Sequence, residues 1–218
     1  DRYNNLAAIE DLGIDSNNEI GTLYDALMMS EKESLYYMSN FRKAEDEIRT
    51  KDEKIDELGT LALKDSMTHV GNKAAYAEKL AEIKDTDEYG IVFMDINNLK
   101  LINDTYGHEA GDEYIKGCCK VLCDVYDHSP VFRIGGDEFA VILRGRDYEN
   151  RDALYRGFTN IFASIWTEKE NDLQSRYSGS VGMADSTSHN TVKETIQAAD
   201  EEMYKNKHIF KEKYGSYR

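Results

Sequence analysis

In the run VFRIGGDEFAVIL, spanning 131–143, the carboxylates Asp137 and Glu138 follow a glycine pair inside an otherwise apolar stretch. The flanking Val131, Phe132, Ile134, Phe139, Val141, Ile142 and Leu143 suit two strands, and Gly135-Gly136 suits a two-residue hairpin turn. A further acid, Asp95, closes the apolar stretch YGIVFMDI (89–96), at the strand-to-loop boundary where α/β sheets place ligand-binding groups. If these strands are neighbours, the three carboxylates meet at one point, where unpaired they repel and raise one another's pKa. A divalent cation removes that repulsion, and Mg²⁺ takes one or two protein carboxylates and completes its shell with substrate phosphates. The predicted chemistry is a polyanion held through metal. Capping of the turn that follows the strand is the alternative use of Asp95.

Composition narrows the field. The 218 residues include 42 acidic and 27 basic side chains, a formal charge of -15, which argues against non-specific nucleic-acid binding and against a polyanion gripped by Lys and Arg alone. At 40% hydrophobic residues the chain can build a core. Cys118, Cys119 and Cys123 lie in one segment, an odd number that argues against a disulfide framework and for a reducing compartment. They read as buried structural thiols rather than as a zinc site, for which His128 is the one nearby fourth ligand. No apolar run reaches the roughly 18 residues of a membrane span, and no signal peptide is visible. A start at Asp1 rather than Met suggests a piece of a longer protein.

The elements that would position the acids follow from periodicity. From Ile20 a seven-residue register runs through Ile20, Leu27, Ser34, Phe41, Ile48, Ile55 and Ala62, with Leu23, Ser30, Tyr37, Ala44, Lys51 and Leu58 at the partner position. Within a front segment, 1–64, that differs in character from the rest, this seam predicts a long helix pairing as a parallel dimeric coiled coil over residues 20–64, the alternative being an amphipathic helix lying on its own domain. From 65 onward strands and helices alternate. We expect a helix from near Asn72 to Lys84, a strand at 89–96, and a short helix. A glycine break at 107–111, a longer helix and the hairpin follow. After these come a helix at 147–167 with Leu154, Phe158, Ile161, Phe162 and Ile165 inward, another strand, and a last helix with Ile196, Ala199 and Met203 inward. Tyr76, Tyr114, Met203 and Tyr204 read as core.

The string RIGGDEF resembles the signature of the GGDEF family, the diguanylate cyclases, which join two GTP molecules into cyclic di-GMP. DSMTHVGNKAAY, FMDINNLKLINDTYGHEAGD, SVGMA and AADEEMYKNK resemble further family motifs in order, covering residues 65 to about 212. The resemblance implies an α/β (α+β) fold, a sheet containing antiparallel strands flanked by helices, like nucleotidyl cyclases and polymerase palms. It implies metal binding by Asp95, the Ile96 carbonyl and Asp137, with two Mg²⁺ per active site and Mn²⁺ as the alternative. Glu138 would sit beside the attacking 3′-hydroxyl or share in metal binding. Asn103 and Asp112 would read guanine, with His108 either a neighbour of that pocket or a structural hydrogen bonder. Lys100 would stabilise the transition state, the amides of Asn98 and Leu99 would cradle terminal phosphates, Arg133 would assist there, and Lys207 and Lys211 would bind phosphate. Asp104 reads as structural, and Gly107 and Gly111 as conformational.

Four departures matter. Asn97 replaces a usual second Asp, Lys73 replaces Arg, and Phe210-Lys211 replaces Gly-Arg. Tyr126 and Ser129 stand where many relatives carry an Arg-x-x-Asp product-inhibition site, so no inhibition through that site is expected. The stretch IEDLGIDSNNEIGTLYDALMMS resembles the second half of a HAMP module, which implies the cytoplasmic part of an inner-membrane receptor that dimerises through the coiled coil. The competing readings are a catalytically silent GTP- or cyclic di-GMP-sensing domain and a purely structural dimerisation unit.

Overall fold

The computed structural model describes residues 19–84, 86–167 and 172–214, and the chain divides into two compact units between Gly59 and Thr60. Helix α1 (Glu19–Ala62) runs 44 residues without proline and is rich in Glu, Lys, Ala, Leu and Met, which lose little rotamer freedom in a helix. Along the expected seam Leu23, Leu27, Tyr37, Phe41 and Ile48 are exposed. Residues 9–18 of the HAMP-like stretch, and the side chains of Ile20, Ile55 and Leu58, lie outside the described residues. Among the described residues no helix is long and apolar enough to cross a membrane.

The second unit contains β1 (Gly71–Asn72), α2 (Lys73–Ala81), β2 (Gly90–Ile96), α3 (Leu99–Tyr106), α4 (His108–Val125), β3 (Val131–Arg133) and β4 (Glu138–Leu143). It continues with α5 (Gly145–Glu149), α6 (Arg151–Thr167), a 3-10 turn, β5 (Gly179–Asp185) and α7 (Val192–Tyr214). The strands form one mixed sheet in the order β1-β3-β4-β2-β5, antiparallel except for the β1–β3 pair. Helices cover both faces. Val92, Met94, Phe139, Val141, Leu143 and Val181 pack with Ile102, Tyr114, Cys118, Leu122, Phe158 and Phe162 on one side. Ile91, Phe93, Ala140 and Ile142 pack with Tyr76, Ala199 and Met203 on the other. This double cover explains why all seven residues of β2 are buried and why its sequence reads as a continuous apolar run rather than an alternating one.

Several expectations need correction. The β3–β4 connection is wider than a two-residue turn: Ile134 N and Gly135 N both donate to Glu138 O, so Gly135, Gly136 and Asp137 form the loop and Glu138 opens β4. The helix expected at 147–167 is two, interrupted at Asn150, and Ile161 is exposed at 39% because it lies off the stripe formed by Phe158 and Phe162. Tyr204 is likewise exposed, one position beyond the inward Met203. The glycine break is confined to Gly107 (φ 87), which separates α3 from α4. Gly111 lies inside α4, and the constraint there is close approach, since a Cβ would lie 1.9 Å from Asn103 Oδ1.

The outer edge of β5 is closed by side chains. Asn206 Nδ2 donates to Val181 O (2.6 Å), and Glu202 Oε2 accepts from Met183 N (3.1 Å). The Tyr155 hydroxyl donates to Glu202 Oε1 (2.9 Å) and stands 3.1 Å from Val181 O. Ladder groups that would template a foreign strand are thus satisfied by α6 and α7. The same two layers touch at Gly182, where a Cβ would lie 2.1 Å from Ala199 O and 2.2 Å from Met203 N. Both obstacles are backbone, so they cannot rotate aside. Gly182→Ala should therefore destabilise the fold by about 3 kcal/mol, read as a lowered urea midpoint, whereas an unchanged midpoint would mean that α7 backs off without loss.

Candidate functional site

The antiparallel pairing of β2 with β4 sets Asp95 opposite Glu138, and one step further Ile96 N donates to Asp137 O (2.9 Å). Two acids far apart in sequence from Asp95 are thereby fixed beside it by backbone bonds. By strand alternation Asp95 shares the face of Ile91 and Phe93, the face that α7 covers. There the Lys207 ammonium forms an ion pair with Asp95 Oδ2, their side chains only 26% and 6% exposed. The other carboxylate oxygen, Oδ1, is buried with no hydrogen-bond partner among the described residues. Burial raises the Asp95 pKa above the usual carboxylate range, with Asp137 and Glu138 adding to the rise and Lys207 opposing it.

A ready-made acidic cage is not assembled. Among the described residues no three His, Cys, Asp or Glu side chains form a metal-holding group. The reason is local: Glu138 folds over Gly135, where a Cβ would lie 2.4 Å from Glu138 Oε2, and the Lys207 ammonium is seated on Asp95. The donor set nonetheless fits a hard divalent cation that brings phosphate and water as its remaining ligands. It offers carboxylates, a backbone carbonyl at Ile96, and a buried carboxylate oxygen that lacks a donor.

Beyond β2 the chain reverses at Asn98, whose left-handed backbone (φ 60, ψ 15) Asn tolerates better than most residues. This turn begins α3, so the amides of Asn98 and Leu99 stand at a helix N-terminus, where N–H groups lack intrahelical acceptors. Asn97, just before it, is buried and engaged on both amide atoms: Nδ2 donates to Ser178 Oγ (3.1 Å) and Oδ1 accepts from Ser180 Oγ (2.8 Å). Asn97 thus ties the end of β2 to β5 and is turned to the sheet. At the far end of α3, Asn103 lies over Gly111, next to the exposed Asp112; His108 and Lys100 are exposed as well.

Arg133 stands beside the glycine turn: its guanidinium donates to Asp65 Oδ1 (3.2 Å) and to Gly136 O (2.7 Å), clasping the loop before β1 to that turn. Lys211 is exposed one helical turn beyond Lys207, and Phe210 joins an aromatic cluster with Trp166 and Tyr214. Tyr126, at the first product-inhibition position, is a buried ring packed on Phe158. Cys118 and Cys119 are core residues, and His128 faces Asp127 and Arg146, so the thiols serve packing. Sequence reasoning missed the Lys207–Asp95 and Arg133–Asp65 pairs and the Asn97 cross-tie, because each joins segments 68 to 112 residues apart with no local signal.

Comparison with known proteins adds an independent line. Residues 62–213 match the family described as "Diguanylate cyclase, GGDEF domain". The chain is 30% identical over 158 residues to diguanylate cyclase DgcN of Escherichia coli, covering 70% of this chain and 38% of that protein. It is 32% identical over 149 residues to probable diguanylate cyclase DgcI of the same organism, covering 67% and 31%. The chain thus spans about a third of the length of these curated relatives. Among solved structures, the coiled coil and GGDEF domain of DgcB from Caulobacter crescentus, in complex with c-di-GMP, superimposes with a TM-score of 0.65 at 21% identity. That alignment covers 78% of this chain and 93% of the other, and it shows a shared fold.

The Arg133–Asp65 clasp makes a pH-dependent claim. Burial raises the Asp65 pKa, but hydrogen bonds from Thr68 and the Arg133 guanidinium outweigh it and hold the carboxyl below its ordinary range. Its contribution is therefore full above an unfolded-state pKa of about 4 and is lost as pH falls through the lower folded value. Arg133→Met should cost about 2 kcal/mol near neutral pH, a loss that shrinks as acid protonates Asp65. Denaturant melts that show a pH-independent difference would contradict this.

Proposed function

The chain belongs to the diguanylate cyclase GGDEF family, and from that premise we propose that it condenses two GTP molecules into cyclic di-GMP, with release of two pyrophosphates, as a metal-dependent dimer. In each half-reaction a ribose 3′-oxygen bonds to the α-phosphorus of the other GTP, the bond from that phosphorus to the β-phosphate oxygen breaks, and the hydroxyl proton leaves. The observation that carries the reading is the β2–β4 register, which fixes Asp95 opposite Glu138 and bonds Ile96 N to Asp137 O.

Asp95, Asp137 and the Ile96 carbonyl would hold Mg²⁺ or Mn²⁺, two per site, which when bound neutralises phosphate charge and favours ionisation of the attacking hydroxyl. The residues of the chain do the rest. Asp112 accepts from the N1–H and N2–H₂ edge of guanine and Asn103 completes the base contact, a pattern that adenine cannot match. His108 borders that pocket. The amides of Asn98 and Leu99 receive the terminal phosphates at the α3 N-terminus, and Lys100 offsets charge on the departing pyrophosphate. Lys207 and Lys211 add positive charge from α7, and Glu138 takes the 3′-hydroxyl proton. Arg133 holds the loop that carries Asp137. Asn97 leaves the metal ligands untouched, consistent with activity in its presence.

Each domain holds one GTP, so joining two requires a pair of domains face to face. The exposed Leu23, Leu27, Tyr37, Phe41 and Ile48 of α1 support a coiled-coil homodimer as the device that brings them together. The HAMP resemblance supports a parent receptor in an inner membrane with this chain on its cytoplasmic side.

Purified chain incubated with Mg²⁺ and GTP should yield cyclic di-GMP and pyrophosphate on chromatography, and Asp137→Ala should reduce the rate about a hundredfold or more. GTP binding without pyrophosphate release would overturn the reading in favour of a silent sensor. Deleting the first 60 residues should lower specific activity at low protein concentration, and equal activity at every concentration would eliminate the coiled coil as the pairing device.

A further inference from the structure

Lys207 stands in two places at once. The family resemblance puts it at the phosphates, whereas the structure seats its ammonium on Asp95, the carboxylate proposed to take the metal. The backbone of α7 is firmly placed at this point: the neighbouring Asn206 bonds to Val181 O, and Ala199 and Met203 abut Gly182. The lysine head is different, since it rides on a flexible four-carbon stem and acts as a point charge without a fixed fork. It can change partner without moving the helix. Two anionic groups compete for it, the buried Asp95 and an incoming triphosphate.

Charge decides the order of events. Asp95 stands opposite Glu138 in the ladder, Ile96 N bonds to Asp137 O beside it, and the Lys207 ammonium is seated on the Asp95 carboxylate at this acidic corner. A divalent ion approaching Asp95 alone meets the ammonium already on that carboxylate. At a few ångströms and an effective dielectric of about 20 such repulsion is worth several-fold to many-fold in affinity. A divalent ion arriving with a triphosphate meets no such penalty, because the phosphate chain offers Lys207 a stronger anion as the metal displaces it. The orphaned Asp95 Oδ1 is already available to the incoming ion.

We propose that Lys207 is a built-in counter-ion that occupies Asp95 until nucleotide draws it away, so that metal and GTP enter as one unit and metal alone binds weakly. The proposal rests on the metal-binding part of the reading above and requires no turnover. Coupling of this kind is reciprocal: nucleotide raises metal affinity, and metal raises nucleotide affinity by the same factor.

The test titrates the full chain, free of nucleotide, with Mn²⁺ and follows the free-ion signal by electron paramagnetic resonance. Lys207→Met and Lys207→Gln should each bind Mn²⁺ about tenfold more tightly than the native chain. Lys207→Arg, which keeps the charge, should stay near the native value, as should Lys205→Met, which removes the same charge from an exposed position on the same helix. With a non-hydrolysable GTP analogue present, the advantage of the neutral variants should vanish or reverse. Neutral variants that bind Mn²⁺ no more tightly than native, or a Lys205→Met gain of equal size, would overturn the proposal. If Mn²⁺ behaves as expected while no cyclic di-GMP forms, the catalytic reading falls and the counter-ion remains.

Discussion

Everything at the site follows from burying one carboxylate, that of Asp95, beside two acids that keep contact with water. Asp95 ends a strand covered on both faces, and its neighbours in the ladder supply two further acids. Burial most of all, and then the neighbouring Asp137 and Glu138, resist ionisation of Asp95. The last helix sets Lys207 against this cluster.

The scaffold is built to keep that cluster in register. A one-residue slip between β2 and β4 would turn Asp95 to the opposite face and break its opposition to Glu138, and the double apolar cover forbids it. The Asn97 bonds to Ser178 and Ser180 fix the other side of β2 against β5. Arg133 anchors the glycine turn from outside by reaching Asp65 and Gly136. Each tie is a polar contact satisfied at both ends, and together they place the loop that follows β2 and the turn that precedes β4 relative to one another.

Helix α7 joins stability to chemistry. It closes the β5 edge through Glu202 and Asn206 and packs against Gly182 at backbone contact distance. The next residue after Asn206 is Lys207, so the edge bond also sets where the ammonium can reach. Phe210, which departs from the family pattern, buries its ring against Trp166 and Tyr214 and binds the end of the helix to α6. Loss of a glycine at that point is compatible with a helix that continues to Tyr214.

Apolar runs, caps and the glycine pair are local signals, so the strands, most of the helices and the clustered acids could be read along the chain. The run to Asp95, the Asn72 cap and the order of motifs from 65 onward could all be read without coordinates. The family resemblance paired Asn103 with Asp112; the structure sets Asn103 over Gly111, where the constraint is packing rather than backbone freedom. The polar partners came from long-range packing alone: Lys207 with Asp95, Arg133 with Asp65, Asn97 with Ser178 and Ser180. Such pairs are fixed by strand order and by which face a helix covers. Those are properties of long-range packing, and no window of neighbouring residues contains them.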